Sequence, residues 1–376
     1  MTIQSNENTP ILTLSDLELP FPASYIMEYE DPIFKQAGNK LLVGYLADDN
    51  DSSNPLEDSS GLGHVFSAHR QSSTHAEMQE ALGLNSDWDA DLDLVEPSHL
   101  RKAWIDAAAQ SDEFKQWANE TAGAQARLDE PYYKRRAQKL WRETAGEYIY
   151  NEDCIYSFSF TDDVRLEVWK DLRAKGLIGT EGTVLLDCYD HGGQVWSLAG
   201  HGMQCRWDTS GGAGVWTPDN EAQIEINRRS TLYAFGELLD NGNWTRQSGK
   251  KRYYVVLDKA FGEEKSPQFE QWGNAFAWLE QRVKTLKLPK QKSAKEDLIT
   301  KGKQRAAQEL AQSALDTYND WLSGNVFGVV VATYINTNTQ ENPEWEYENS
   351  DEYWGYIGSE WAIDALAEEM AVSLAA

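Results

Sequence analysis

The densest cluster of chemistry-bearing side chains lies between residues 187 and 208: Asp187, Asp190, His191, His201, Cys205 and Asp208. Imidazole, thiolate and carboxylate groups are the ligands that a transition-metal site draws from strand ends and loops. Asp190, His191 and Cys205 form the candidate ligand set. Nucleophilic chemistry is the other use, with Cys205 as attacking sulfur, His191 as base, and Asp190 or Asp208 orienting the imidazole. The spacing matches no zinc motif: Cys205 has no Cys-x-x-Cys partner, and the two histidines are ten residues apart in a Gly-rich stretch. Aspartate and histidine also tie such turns down by hydrogen bonding, and that structural reading is preferred. No catalytic residue is assigned; His191, Cys205 and Asp208 stand as the alternative, and no cofactor is expected.

Weaker signals lie elsewhere. Gly211-Gly212-Ala213-Gly214 has the composition of a phosphate cradle but lacks the Lys-Ser/Thr of a P-loop, so a turn between strands is expected. His64, His69 and His75 are too widely spaced for one strand-borne metal site. His69-Arg70 reads as a strand end, with an anion contact as the alternative. Trp345, Trp354 and Trp361 read as core and hairpin packing, any exposed remainder serving to anchor a protein partner.

Charge is the strongest signal. The 376 residues include 61 acidic and 34 basic side chains, a formal net charge of −27. Residues 1–100 hold 18 Asp/Glu against 3 Lys/Arg, and residues 306–376 hold 13 against none. Between these ends, 281–305 reverses the sign with 9 Lys/Arg, Arg282 to Arg305, against Glu296 and Asp297. A chain this acidic repels phosphate backbones, which argues against direct duplex DNA binding. It is drawn instead to basic surfaces, the DNA-binding grooves of other proteins among them. The basic stripe is expected to be a solvated helix pair or an internal partner for the acidic ends, with nucleic-acid binding as the alternative. No apolar run approaches the ~20 residues that cross a bilayer, so no membrane association is expected. The polar start, Met1 to Pro10, has no signal-peptide pattern. Three cysteines, Cys154, Cys188 and Cys205, exclude a disulfide scaffold and point to a reducing cytoplasm.

The elements that must position these groups follow from periodicity. Apolar residues at 41% and aromatics at 11% suffice for a sizeable core. Strands are expected at 41–46, 64–68, 154–160, 184–188, 194–198, 203–207, 215–216 and 253–257. The alternating Asp87, Asp89, Asp91 and Asp93 fit an extended segment with one carboxylate-rich face. Helices are expected over 72–84, from Pro97 with Ser98 as N-cap, from Pro131, over 164–175 ending at Gly176, from Ser266-Pro267 along the Phe269–Leu286 stripe, and over 298–322. A hairpin of 326–335 with 344–357 and a helix capped by Ser359 complete the chain. The fold class is α+β: a mostly antiparallel central sheet, flanking helices and a C-terminal hairpin-helix unit. Four parts are expected, within what can be one continuous domain. They are an acidic β-rich part over 1–96, a helical insertion over 97–150, an α+β core over 151–289, and the long helix, hairpin and last helix over 290–376.

Four segments resemble, in order, an uncharacterised family of proteins carried by bacteriophages and other mobile elements. They are Ser53-Asn54-Pro55 with Leu62-Gly63 and His69-Arg70; Tyr189-Asp190-His191-Gly192-Gly193; Cys205-Arg206-Trp207-Asp208 with Ser210-Gly211; and Leu322 to Gly328 followed by Trp354-Gly355-Tyr356-Ile357-Gly358. Gly192 stands where the family has Ser, one residue is inserted around Thr209, and 97–150 has no counterpart. The resemblance implies a mobile-element origin and supplies no activity.

Together these readings lead to one expectation: an anti-defence protein, in the cytoplasm of a bacterial host, that inhibits a restriction or immunity complex through an acidic, DNA-mimicking surface. Its partner would be a basic, nucleic-acid-binding host protein or complex. The working surface would draw on Asp48, Asp49, Asp51, Glu57 and Asp58, on Asp87, Asp89, Asp91 and Asp93, and on Glu344, Glu346, Glu348, Asp351 and Glu352. The alternative is a metal- or cysteine-dependent enzyme centred on 187–208.

Overall fold

A computed structural model describes residues 12–28, 31–70, 72–92, 95–108, 114–115, 118–119, 128–149, 162–240, 252–340 and 342–375. Cys154, the 154–160 strand and Asp93 lie outside them. The fold is α+β, with two four-stranded sheets and one two-stranded sheet among the described residues. The chain divides into two units, neither of them contiguous. The first comprises 1–59, 189–196 and 313–376, the second 60–188 and 197–312.

The first unit is built on β1 (Ile33–Ala37), β2 (Lys40–Asp48), β9 (Val326–Asn336) and β10 (Trp345–Ile357), in the order β1-β2-β9-β10. All three pairings are antiparallel. Strands β2 and β9 are central and read as nearly continuous apolar runs, because both faces are covered. The final helix (Ser359–Ala375) packs on them through Ala362, Leu366 and Met370, one turn apart each. Residues 12–26 cover the sheet with apolar side chains and are tied down by two buried tyrosines. Tyr45 donates to the Phe21 carbonyl at 2.9 Å and Tyr334 to that of Glu18 at 2.8 Å. Burial pushes both phenols up to about 12.

The second unit holds β3 (His64–Ser67), β6 (Thr209–Thr217), β4 (Val184–Asp190) and β5 (Gln194–Leu198), in that order, the β4–β5 tip being grouped with the first unit. Strands β7 (Gly236–Asp240) and β8 (Tyr253–Leu257) form the small sheet. Its helices include Asp162–Ala174, Asn220–Tyr233, Trp272–Val283 and the first two thirds of the 31-residue helix Lys292–Leu322.

Several local expectations are corrected. Ser98 is not the N-cap: the helix starts at Pro97, and the Glu96 carboxylate accepts from the Ser98 amide and hydroxyl. Residues 203–207 are not a strand, because Thr209 Oγ1 donates to the Met203 carbonyl and accepts from the Cys205 amide, closing a turn. Ser266-Pro267 opens no helix. The Ser266 hydroxyl accepts from the Val255 amide at 2.8 Å and Phe269 pairs with Tyr253, so the helix starts at Trp272. The Gly211–Gly214 run lies within β6 rather than in a turn.

Candidate functional site: an acidic edge

Strand β10 is the edge of the first sheet, and most of its residues are exposed. Its partner β9 supplies the apolar side chains, which leaves β10 free to carry charge. Glu346, Glu348, Asp351 and Glu352 stand along it, with Glu344 just before it. A bulge at Glu348 separates the Tyr347↔Tyr334 pair from Asn349↔Thr333 and resets which face each side chain takes. Tyr347, Tyr353 and Trp354 are exposed among these acids, and Trp361 on the last helix is 75% exposed. The local potential is negative. The Glu369 carboxylate beside Tyr353, and then burial and Asp351, push that phenol above its ordinary range.

The loop after β2 adjoins this edge. Asp48 lies opposite Phe327 and accepts from the Ser24 hydroxyl at 2.6 Å. The Asp49 amide donates to the Val326 carbonyl at 2.9 Å, and its carboxylate accepts from the Gly355 amide of β10 at 3.1 Å. Asp51 follows, exposed. Asn54 then caps the short helix Pro55–Asp58, accepting from the Leu56 amide, while its own amide donates to Glu57; Ser53 donates to Asp58. Two acidic segments some three hundred residues apart in sequence are thus brought to one edge. The whole first unit carries 24 acidic and two basic side chains, a net of −22. Of those two cations, Lys40 lies 3.7 Å from Glu348. The second unit, with 37 acidic and 32 basic side chains, is nearly balanced.

Asp87, Asp89 and Asp91 belong to the second unit and are not extended. The Asn85 side chain accepts from the Asp87 and Asp89 amides at 2.9 and 3.1 Å, Leu84 bridges Ala90, and Trp88 takes φ +64°. The segment is a closed Asx-type turn, so the period-two spacing does not hold.

Three members of the 187–208 cluster, Asp187, Cys205 and Asp208, hold turns together. Buried Asp187 accepts from the Gly200 and Gly212 amides at 2.7 and 2.8 Å and from Gln204 at 3.1 Å. Burial opposes its charge, but these hydrogen bonds prevail and hold its carboxyl below the usual range. Cys205 Sγ donates to Asp208 at 3.3 Å within the Cys205–Thr209 turn. His191 is exposed at the β4–β5 tip and stacks on Tyr189. Asp190 and His191 fall in the first unit, Cys205 and Asp208 in the second. Among the described residues no three His, Cys, Asp or Glu side chains gather to hold a metal ion.

Sequence reasoning missed Asp219. Its carboxylate caps the helix Asn220–Tyr233 through the Ala222 amide at 2.8 Å and also accepts from Gly61 and Gly63 at 2.7 and 3.1 Å. The signal was present, a Thr-Pro-Asp before a helix-forming run. Comparison with known families, curated proteins and solved structures gives no match. No helix among the described residues is long and apolar enough to cross a membrane.

Proposed function

We propose that the chain is an anti-defence protein of a bacteriophage or other mobile element. It acts in the host cytoplasm, binding a basic, nucleic-acid-handling restriction or immunity complex in place of DNA. The observation that carries this reading is the concentration of charge: nearly all of the net −27 sits in the first unit, as −22. Solubility alone would not require one unit to take most of it. Exposed aromatics among the carboxylates add the rigid apolar contacts that dominate interface energies.

The test is capture of host proteins from a bacterial lysate, followed by competition. The captured complex is expected to be displaced by duplex DNA. It should also lose affinity in a variant with Glu344, Glu346, Glu348 and Glu352 changed to Gln and Asp351 to Asn, mainly through a slower on-rate and a flatter salt dependence. A partner that binds duplex DNA and this chain at once, or one that holds the neutralised variant equally well, would refute the reading. The enzyme alternative receives less support, because Cys205 and Asp208 are engaged with each other in a turn.

A further inference from the structure

The second unit contains a feature of opposite sign. A cleft of about 560 Å³ is walled by the helix Asp162–Ala174, the run Thr180–Leu185 entering β4, and the helix Lys292–Leu322. Its floor includes buried Val184, Leu198 and Ile226. Lys170, Arg173, Lys301, Lys303 and Arg305 line it, against Glu181 and Glu237. A side groove of about 380 Å³ continues past Lys175, Lys292 and Lys295, sharing Ala174, Glu181 and Lys303 with the cleft.

Most of these cations are matched. Lys170 pairs with Glu167 at 2.8 Å, Lys303 with Glu181, and Lys301 and Arg305 share Asp258 at 3.4 and 3.0 Å. Arg173 is the exception. Its guanidinium lies 4.7 Å over the Trp169 ring, and Nη2 donates to the Thr183 carbonyl at 3.4 Å. No carboxylate among the described residues pairs with it. Burial pulls its pKa down to about 10, so it remains charged at neutral pH. The side chain is half-buried, and a guanidinium has five N–H donors in a fork that fits two phosphate oxygens at once. Here one weak carbonyl contact is made and the remaining donors border a cleft.

We propose that this cleft binds a small phosphorylated molecule of nucleotide size. The phosphate is held by Arg173 with Lys303 at the rim, and the apolar part rests on Val184 and Leu198. The volume falls in the range of ligand sites, and cations are the commonest charged groups along its wall. The proposal is independent of the acidic edge, which lies in the other unit. A phosphodiester polymer fits less well. Its charge would extend beyond the few cations of the cleft, whereas a small anion feels chiefly the cations within the ~8 Å Debye length.

Calorimetric titration of the full chain with ADP, and with pyrophosphate as competitor, tests this. ADP is expected to bind saturably at one site with Kd below about 1 mM, and pyrophosphate to displace it. Arg173→Gln should weaken ADP about 10- to 100-fold, the range of a lost charge-assisted contact. The double variant Lys170→Gln/Lys303→Gln alters only the rim and should weaken it several-fold; exposed Lys259→Gln should change nothing. Melting curves establish that each variant folds, and the rim variant carries the test where Arg173→Gln does not. Absence of saturable binding in the parent chain overturns the proposal, as does unchanged affinity in the folded variants. A short DNA duplex that outcompetes ADP, and is weakened by the same substitutions, would assign the cleft to nucleic acid and equally overturn it.

Discussion

At the scale of single residues, two half-buried carboxylates do different jobs. Asp219 gathers three amides from two segments more than 150 positions apart. Asp219→Ala leaves all three without an acceptor and is expected to cost about 2–4 kcal/mol in urea denaturation, more than the ~1 kcal/mol of an ordinary cap. Burial opposes its charge, but the amides outweigh it and hold its carboxyl below the usual range. The folded pKa is therefore below the unfolded one. This stabilisation is complete above about pH 4 and is lost as pH falls through the folded value, as it is for Asp187 and Asp258. Asp219→Asn should flatten that acid limb. Glu309 behaves oppositely: burial pushes its carboxyl up, against hydrogen bonds from Tyr233, Arg229 and Trp272. Arg229 pairs with it at 3.0 Å, also pairs with Glu225, and lies 5.5 Å over the Trp272 ring. Arg229→Met leaves the half-buried Glu309 without its cation, at an expected cost of about 1–3 kcal/mol. Adding Glu309→Gln to Arg229→Met should recover part of that loss. If the double variant is no more stable than Arg229→Met alone, the loss is one of packing rather than of charge.

At the scale of elements, the close approaches decide what can change. Gly302 sits within a helix, where Ala is intrinsically better by roughly 1 kcal/mol. Yet a Cβ there would stand 2.0 Å from the Ser230 carbonyl oxygen and 2.7 Å from the Ala234 amide nitrogen, both backbone atoms that cannot step aside. Gly302→Ala is therefore expected to destabilise by about 1–3 kcal/mol in spite of propensity. Gly44→Ala should cost less, since it meets the flexible Met370 side chain at 2.7 Å; a stabilised Gly302→Ala in urea titration would refute this helix crossing. This is also where the sequence was partly legible. Buried strands such as 41–46 and 326–335, and the helix from Ser359, announce themselves by unbroken or one-turn apolar patterns. The helix stop at Gly176 needs φ +64°, which glycine allows. Side-chain capture is what periodicity cannot see. Asn85 folds the Asp87–Asp91 alternation into a turn, Ser266 delays a helix, and Asp187 draws a glycine run into a strand. The acidic edge was legible as composition, but its assembly depends on β2 pairing with β9 across nearly three hundred residues, which no local pattern encodes.

At the scale of the whole molecule, the question is what a net of −22 in 131 residues does to the unit that carries it. Like charges repel through a range set by salt, ~30 Å at 0.01 M and ~3 Å at 1 M. Low ionic strength therefore lets the carboxylates of the β2 loop, β10 and the last helix act on one another, and high ionic strength silences them. The balanced second unit lacks this sensitivity. Hydrogen exchange followed by mass spectrometry separates the two: protection of 326–336 in β9 is expected to rise with salt much more than protection of 209–217 in β6. Equal responses would mean that the charges are too dispersed to strain the fold. Partner binding should move the opposite way, weakening as salt screens the attraction between the acidic edge and a basic groove. The opposition separates two roles for the same carboxylates. Charges kept only to prevent strand pairing at the exposed β10 edge would give the stability response and leave association unaffected by salt, and their neutralisation would produce self-association rather than lost partner binding. Charges kept for recognition give both responses, and the neutralised β10 variant should become more stable at low salt while losing its partner. Size-exclusion chromatography of that variant, beside its partner affinity at two salt concentrations, decides between the two.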